Sequence, residues 1–331
     1  MSGMSPRVKL PPQFQSGPFA YADARTAGVG EGRLRGPDLT RPFFGTRQPV
    51  RAPTQTRAEE DLAETLRRCA EFAPLLGSTR FFSHGTAARL WGCPLPGRAR
   101  DDAELHVSER APNNAPRHPG IAGHQASDVR IGTALRQGLP VSDPVSTWFA
   151  LARYLPLDEL VAAGDHFILT PHQLDPLDLR PHATLEQLAQ RLRYFHGRGA
   201  VKAARALRLI RPGAESRPET LLRLLLLRAG LPEPLVNPDV TNTAGRWIGR
   251  ADLVWPEWHT VVEYDGDQHR TNSIQYDKDM SRLEDFIEAG FKVVKVRKRS
   301  LFRDPSDAVR RTAHALRTNG WQPERRHRTR N

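Results

Sequence analysis

The chain has 331 residues, of which 38% are hydrophobic, and its formal net charge is +12. This length and apolar content exclude a disordered chain and predict two or three modules with cores of their own. The surplus of lysine and arginine favours a polyanionic partner, because basic clusters gain affinity by displacing counterions from phosphates. A basic balance inherited from an arginine-rich proteome is the alternative explanation.

The two cysteines, Cys69 and Cys93, exclude a disulfide scaffold and a zinc motif of C-x-x-C spacing. No apolar run approaches the about 18 residues of a membrane span, and the N-terminus lacks the apolar segment of a signal peptide. The sequence therefore predicts a cytoplasmic protein with reduced thiols and no membrane partner.

The first segment, residues 18–35, has the rhythm of a helix-turn-helix. A short helix ends at Gly28, and a second short helix carries Arg33 and Arg35, which we expect to contact nucleic acid. Residues 38–47 fit the β-hairpin of a small wing, and residues 51–56 read as a linker. A helical hairpin that serves only as a packing unit is the alternative.

The middle region begins with a helix over residues 58–72. The stretch SHGTAARLWG at residues 83–92 brings a serine, a histidine and a threonine together. Neighbouring positions in sequence do not make a catalytic triad in space, so we expect Ser83 to cap a helix whose apolar face is Ala87, Leu90 and Trp91.

These motifs, with RLR at residues 33–35 and LHV at residues 105–107, resemble proteins that carry an AbiEi-type antitoxin region. The resemblance covers roughly residues 18–170. It implies a winged-helix N-terminus and an α/β body in a transcriptional regulator.

Further amphipathic helices are predicted within residues 148–152, 157–163 and 185–194. Residues 197–208 form a basic helix that either contacts a phosphate backbone or is a solvated face.

The pattern sharpens from Gly213 onward. Ser216 is the predicted N-cap of a leucine-rich helix, Pro218 lies in its first turn, and Glu219 takes the position of the acid in a capping box. Strands are predicted around Val236 and Val240, over residues 248–254 and over residues 260–264. A helix over 276–289, a strand over 291–296 and a helix over 305–316 complete an α-β-β-β-α-β-α order.

Four acids are predicted to meet in this module: Glu219, Asp252, Glu263 and Asp265. Glu263 and Asp265 are two apart on a strand and share a face, and adjacent strands lie about 4.8 Å apart, within reach of Asp252. Crowded carboxylates raise each other's pKa unless a cation lies among them, and Mg²⁺ or Mn²⁺ with oxygen ligands fits. A metal held in this way supports phosphodiester hydrolysis, with His269 as general acid or base or as a phosphate ligand.

The motifs ESRPETLLR, ADL, VVEYDGDQH, DKDMSR and AGFKVVKV resemble the PD-(D/E)XK nuclease fold, in particular its branch of very-short-patch repair endonucleases. The resemblance covers about residues 213–321. It implies metal binding by Asp252 and Glu263, a supporting role for Glu219 and a catalytic role for His269. Asp279 and Arg282 match a D-x-x-R pattern of that branch and are expected to hold the site or contact DNA.

One departure from the fold's pattern concerns the third strand. The usual E-x-K lysine is replaced by Asp265, as the repair branch also lacks that lysine and uses a histidine. The water-activating group stays open among His269, Lys292 and Lys295.

Basic residues follow the last predicted strand. Arg297, Lys298 and Arg299 are expected to contact phosphates, and residues 322–331 form a basic tail. A merely solubilising role is the alternative for both.

Taken together, the sequence predicts an α/β multidomain protein with a winged-helix-like head (1–56), an AbiEi-like α/β middle region (57–212) and a restriction-endonuclease-like α-β-β-β-α-β domain (213–321). The predicted function is a divalent-metal-dependent endonuclease acting on double-stranded DNA, in DNA repair or phage defence. The alternative is a nuclease-fold regulator or antitoxin-like protein that binds DNA without cutting it.

Overall fold

The computed structural model describes residues 9–50, 59–100, 102–242, 244–266 and 273–323. The protein is a mixed α/β chain that divides into two compact units, Met1–Tyr154 and Leu155–Asn331. Within the described residues, no helix is long and apolar enough to cross a membrane.

The first unit combines short helices with two sheets. Its helices are α1 (Tyr21–Thr26), α2 (Glu31–Leu34), α3 (Glu59–Phe72), α4 (His84–Leu90), α5 (Gly97–Arg100) and α6 (Pro144–Leu151). Its strands are β1 (Phe19–Ala20), β2 (Leu39–Thr40), β3 (Thr46–Pro49), β4 (Arg80–Phe82), β5 (Leu105–Arg110), β6 (Ile121–Ala126), β7 (Thr133–Arg136) and β8 (Leu139–Ser142).

The N-terminal part of this unit contains the two short helices and the hairpin that the sequence predicted. Strands β2 and β3 pair antiparallel with Leu39 opposite Pro49, and the three-stranded order is β1-β3-β2. A small core of Phe14, Phe19 and Leu34 lies beneath the helices. The winged-helix identity of this part stays a prediction.

A five-stranded sheet of order β6-β5-β4-β8-β7 forms the rest of the first unit. Its parallel β5–β6 pair sets Ser108 opposite His124, and its antiparallel β4–β5 pair sets Phe82 opposite Val107. Trp148 on α6 and Phe82 are fully buried. Burial of these two apolar side chains stabilises the first unit through the hydrophobic effect.

The second unit begins with helices and continues with sheets. Its helices are α7 (Leu157–Ile168), α8 (Leu185–Leu192), α9 (Ala200–Leu209), α10 (Arg217–Arg228), α11 (Ser273–Glu288), α12 (Lys298–Phe302) and α13 (Pro305–Thr318). Its strands are β9 (Leu235–Val236), β10 (Asp239–Thr241), β11 (Trp247–Arg250), β12 (Leu253–Trp255), β13 (Thr260–Asp265) and β14 (Lys292–Arg297).

The two compact units of the structure divide after residue 154, whereas the sequence predicted domain boundaries at residues 56 and 212. Helix α7 belongs with α10 because a buried ion pair joins them: Arg223 Nη2 lies 3.3 Å from Asp165 Oδ2, and both side chains are almost fully buried. Thr220 Oγ1 donates a hydrogen bond of 2.8 Å to the same carboxylate oxygen. Residues 155–212 therefore pack with the predicted nuclease-like domain.

Two predicted strands are interrupted in the structure. The strand expected around Val236 and Val240 is split between β9 and β10, which belong to different sheets. The strand expected over residues 248–254 is split into β11 and β12, with Ala251 and Asp252 between them. The prediction of one continuous strand was wrong, because its two halves pair in different sheets: β11 pairs with β10, and β12 pairs with β13 and β9.

The central sheet of the second unit has the order β14-β13-β12-β9. Strands β13 and β14 are parallel, and β12 runs antiparallel to β13. One face carries Val262, Val294 and Val296 and packs with Leu222 of α10 and Leu316 of α13. The other carries Val261, which packs with Phe286 of α11. This two-sided burial fixes β13 between two helical layers.

Candidate active site

Three of the four predicted metal-binding acids interact electrostatically in the second unit. Glu219 lies in the first turn of α10, Asp252 lies at the break between β11 and β12, and Glu263 lies on β13. Leu253 pairs with Val262, so Asp252 and Glu263 occupy the next position of the same antiparallel register. The charges of Glu219 and Glu263 both act on the carboxyl of Asp252. We call these three residues the acid cluster.

Asp252 is held by its neighbours on both sides. Its Oδ2 accepts a 2.6 Å hydrogen bond from the backbone N–H of Tyr264, and its carbonyl accepts a 2.9 Å bond from the N–H of Asn237. Burial raises its pKa well above the ordinary value, and the negative charges of Glu219 and Glu263 raise it further. The hydrogen bond from Tyr264 and the charge of Arg282 oppose this shift. The carboxylate is thus fixed in a place that disfavours its negative charge.

Glu219 is positioned by the start of α10. Ser216 is the N-cap, as predicted, and its hydroxyl accepts from the N–H of Glu219. The reciprocal bond of a capping box is absent from the described hydrogen bonds of this turn: Glu219 Oε2 accepts at 2.9 Å from the N–H of Glu215. It also accepts at 2.6 Å from Asn237 Nδ2. Burial raises the pKa of Glu219, and these hydrogen bonds oppose the rise.

Asn237 forms hydrogen bonds both to Glu219 at the start of α10 and to the backbone of Asp252. Its backbone has a φ of +46°, which asparagine adopts more readily than most residues. Its Nδ2 donates to the carbonyl of Gly213 at 2.9 Å and also to Glu219. A Cβ at Gly213 would lie 2.7 Å from the carbonyl oxygen of Val236, so this close approach requires glycine.

Glu263 is buried and lies beside a cation. Arg282 Nη2 on α11 is 3.1 Å from Glu263 Oε1, and Arg282 Nη1 donates a 3.1 Å bond to the carbonyl of Arg250. Gly249 allows this arrangement, because a Cβ at that position would lie 2.9 Å from Cδ of Arg282. Arg282, predicted to support the site, therefore contacts one of its acids directly.

Asp265, the fourth predicted metal-binding acid, has a different environment. It is two residues beyond Glu263 on β13, opposite Arg297 in the parallel register, and its Oδ2 lies 3.5 Å from Arg297 Nε. The structure thus pairs Asp265 with a basic side chain at the carboxyl end of the strand.

The two lysines proposed as water-activating groups are separated on β14. Lys295 pairs with Glu263 in the parallel register, whereas Lys292 pairs with Thr260 at the start of the strand. Residues three apart on a strand point to opposite faces, so Lys295 shares the face of Glu263 and Lys292 does not. His269 lies outside the described residues. Asp279 falls on α11, and its side chain is also outside the described part of the chain.

The predicted phosphate-binding residues are on the surface of both units. Arg297 ends β14 with a side chain 68% exposed, and Lys298 and Arg299 lie in the short helix α12, which the sequence did not predict. In the first unit, Arg33 makes a 2.7 Å ion pair with Asp38 and is only 15% exposed, whereas the side chain of Arg35 is 72% exposed. Of these predicted residues, Arg35 and those at and after the end of β14 are accessible to a polyanion, whereas Arg33 is not.

Sequence reasoning missed a cluster of three histidines in the first unit. His84 begins α4, His106 lies on β5 and His124 lies on β6, and one ring nitrogen of each lies within 4.8 Å of the other two. Ser83 occupies the predicted N-cap position, but its hydroxyl does not cap the helix; it lies 2.9 Å from His84 Nδ1. Alternate positions on β5 and β6 could have indicated a shared face, but the register that joins them cannot be read from spacing.

Burial lowers the pKa of two of the rings, His84 and His124. Burial, followed by the nearby His124 and His106, lowers the pKa of His84 to about 2. Burial and then His106 lower the pKa of His124 to about 4. The rings of His84 and His124 stack with centroids 3.8 Å apart, an arrangement that two positive charges would oppose.

Two curated relatives match most of the chain, and both come from Mycobacterium tuberculosis strains. They are named Uncharacterized protein Rv2248 and Uncharacterized protein MT2308; each is 24% identical over 256 residues, which cover 76% of this chain and 87% of the relative. No known family profile matches the chain, and no solved structure does. Any assignment of function therefore depends on the site itself.

Proposed function

We propose that the second unit is a divalent-metal-dependent endonuclease that hydrolyses phosphodiester bonds in double-stranded DNA. The observation that carries the proposal is the acid cluster: Glu219 of α10 and Glu263 of β13 both act electrostatically on Asp252, which lies just before β12. The resemblance of its motifs to repair endonucleases and to AbiEi-type proteins makes DNA repair or phage defence the corresponding biological setting.

The donor chemistry suits a hard cation, and an ion would have to draw the three acids together, since their oxygens do not all lie within 4.8 Å of one another. All three side chains offer carboxylate oxygens, which Mg²⁺ and Mn²⁺ prefer, and each of the three comes from a different backbone segment with its own hydrogen bonds. Burial is the main cause of the raised pKa of Asp252, and the charges of Glu219 and Glu263 add to it; a bound cation would favour the deprotonated carboxylate. Such an ion would polarise the scissile phosphoryl group and lower the pKa of a bound water.

Basic residues near the acid cluster would bind the phosphates of the DNA backbone. Arg297, Lys298 and Arg299 continue from the end of β14, next to the strand that carries Glu263, and Arg297 is well exposed. They would bind phosphates near the acids and hold the scissile bond in place. The net charge of +12 agrees with a polyanionic partner.

Proton transfer to and from the attacking water needs a group other than the usual lysine, whose place Asp265 takes. Lys295 is the candidate that the register supports, because it lies beside Glu263 and on the same face. His269 remains the candidate from the sequence resemblance. Substituting each residue separately would show which one the reaction uses.

The proposal is tested by incubating supercoiled plasmid with the full chain, with Mg²⁺, with Mn²⁺ and with EDTA. We expect metal-dependent nicking by the wild type and its loss in Asp252→Asn. Glu257→Gln removes an exposed acid from the same unit and is the matched control; it should nick like the wild type. Nicking that persists in Asp252→Asn would assign the activity to another site or to a contaminant.

A second candidate function is supported by Arg282. Its guanidinium lies 3.1 Å from Glu263 and takes the role of a counter-ion, as it would in a nuclease fold that binds DNA without cutting it. A regulator or antitoxin-like protein of this kind would shift a DNA duplex in a gel with a salt-dependent affinity, unchanged in Asp252→Asn. It would not nick plasmid with any divalent ion.

A further inference from the structure

The three histidines of the first unit form a compact donor set on one face of its five-stranded sheet. In the β5–β6 register Ser108 lies opposite His124, and residues two apart on a strand share a face, so His106, Ser108 and His124 point the same way. His84 follows β4, the strand on the other side of β5, and the N–H of Ser83 donates to the carbonyl of His106 at 2.9 Å. Three adjacent strands therefore deliver three imidazoles to one point.

One pair of ring nitrogens has nearly the spacing of two metal ligands. His106 Nδ1 and His124 Nε2 lie 2.9 Å apart in a hydrogen bond, whose proton a bound ion would replace. Two nitrogens on a tetrahedral Zn²⁺, with Zn–N bonds near 2.0–2.1 Å, are separated by roughly 3.3 Å. An ion between these rings therefore requires a shift of only a few tenths of an ångström from this pair, while His84 approaches from within 4.8 Å.

Neighbouring polar groups orient the rings in the manner of a metal site. Asp102 Oδ2 lies 2.9 Å from His106 Nε2, which fixes the proton on that nitrogen and leaves Nδ1 as an electron-pair donor. Ser83 Oγ lies 2.9 Å from His84 Nδ1 and accepts at 2.7 Å from Ser108 Oγ. A proton on His84 Nδ1 would leave Nε2 of that ring as the donor.

The backbone of His84 supports the same conclusion. Its φ of +49° lies in the left-handed region, where a residue with a Cβ is uncommon and the conformation costs free energy. This conformation turns the imidazole of the first helical residue onto the other two rings, at a centroid distance of 3.8 Å from His124. The positive charge of Arg153 acts on these rings and opposes a cation, and the carboxylate of Asp102 offsets it.

We propose that His84, His106 and His124 bind one transition-metal ion, with Zn²⁺ as the best-fitting ion. Neutral imidazole nitrogens suit Zn²⁺ and its neighbours in the first transition row, whereas Mg²⁺ requires oxygen ligands. Three histidines also leave a fourth coordination position for water or a substrate atom. The site is separate in residues and in donor chemistry from the acid cluster, so its existence does not depend on the proposed nuclease activity.

The test uses the full chain without a histidine tag, stripped with EDTA and titrated with Zn²⁺ and with Co²⁺. We expect one Zn²⁺ per chain to remain bound through gel filtration, as measured by elemental analysis, and visible absorption bands of tetrahedral Co²⁺ with nitrogen ligands. His124→Gln, at the edge of the sheet, should lose the ion. Asp102→Asn should keep it with an affinity lower by about 10–100-fold.

Two controls separate this site from other sources of binding. His172→Gln removes an exposed imidazole elsewhere and should keep the ion. Asp252→Asn removes an acid of the other unit and should keep it as well. Circular dichroism shows whether each variant is folded. If His124→Gln does not fold, the Co²⁺ spectrum of the wild type still tests the proposal. A wild type that retains no ion, or a folded His124→Gln that binds as tightly, would overturn the proposal.

Discussion

The two units each gather three ionisable side chains from separate elements, but with opposite donor chemistry. The acid cluster of the second unit holds Glu219, Asp252 and Glu263, whose oxygens suit a hard cation. The histidine cluster of the first unit holds His84, His106 and His124, whose nitrogens suit a softer one. In both units adjacent strands and the start of a helix thus bring together donor groups, and the two sets would suit different ions.

Burial shifts the pKa values in the two clusters in opposite directions. Burial raises the pKa of Asp252 and Glu219, whereas it lowers the pKa of His84 and His124. In both cases burial favours the uncharged form. A bound ion would favour the deprotonated ligand in both clusters, but it would restore charge only to the acids.

The largest expected effect is on plasmid nicking. Asp252→Asn removes a carboxylate that would hold the cation, and a loss of several kcal/mol in transition-state stabilisation lowers the rate by about 10³-fold. His124→Gln should leave the nicking rate unchanged. Gel quantification of nicked plasmid measures both variants, and equal losses in the two would mean that the clusters act together.

A substitution beside the acid cluster should cost stability in the second unit. Gly249→Ala places a Cβ 2.9 Å from Cδ of Arg282 and forces that side chain from Glu263. Overpacking of this kind costs about 2 kcal/mol in the free energy of unfolding, measured by urea denaturation. Gly17→Ala, where a Cβ would meet no atom within 4 Å, is the control and should be neutral. Equal midpoints for the two variants would contradict the close contact.

A smaller effect is expected at the helix start. Asn237→Gly retains the ability to adopt the positive φ but removes the amide that donates to Glu219 and Gly213. Loss of these hydrogen bonds should lower the free energy of unfolding by about 1 kcal/mol and raise the concentration of Mg²⁺ needed for half-maximal nicking. An unchanged Mg²⁺ requirement would show that Glu219 does not support the metal.

The smallest effect is a pH dependence of stability. Because the pKa values of Asp252 and Glu219 are raised by folding, the native protein keeps protons that the unfolded chain releases above its ordinary carboxyl pKa. The free energy of unfolding of the metal-free protein should therefore fall as pH rises from that pKa through the raised values. Thermal melts in EDTA should show a shallower fall for Asp252→Asn, and identical slopes would contradict the raised pKa.

Local sequence rules predicted much of the second unit. The N-cap at Ser216, the helices over α10, α11 and α13, and the strands β13 and β14 follow from capping, periodicity and glycine stops. These rules failed for the strand over residues 248–254. Its two halves, β11 and β12, pair in different sheets, and no local pattern reveals such a change of partner.

The candidate sites were predictable to different degrees. The two-residue spacing predicted a shared face for Glu263 and Asp265, but Asp265 pairs with Arg297 and lies outside the acid cluster. The resemblance indicated that Arg282 supports the site or contacts DNA, but it did not specify its contact with Glu263. The histidine cluster depends on the parallel register of β5 with β6 and on the unusual backbone of His84, neither of which the residue pattern specifies.

The central claim, that the acid cluster holds a divalent ion, is tested most directly by anomalous diffraction from crystals of the full chain soaked in Mn²⁺. We predict a peak with oxygens of Glu219, Asp252 and Glu263 around it, at distances of about 2.1–2.2 Å. The peak should be lost in Asp252→Asn crystals. Crystals of the wild type that show no peak there, with Arg282 still against Glu263, would contradict the claim.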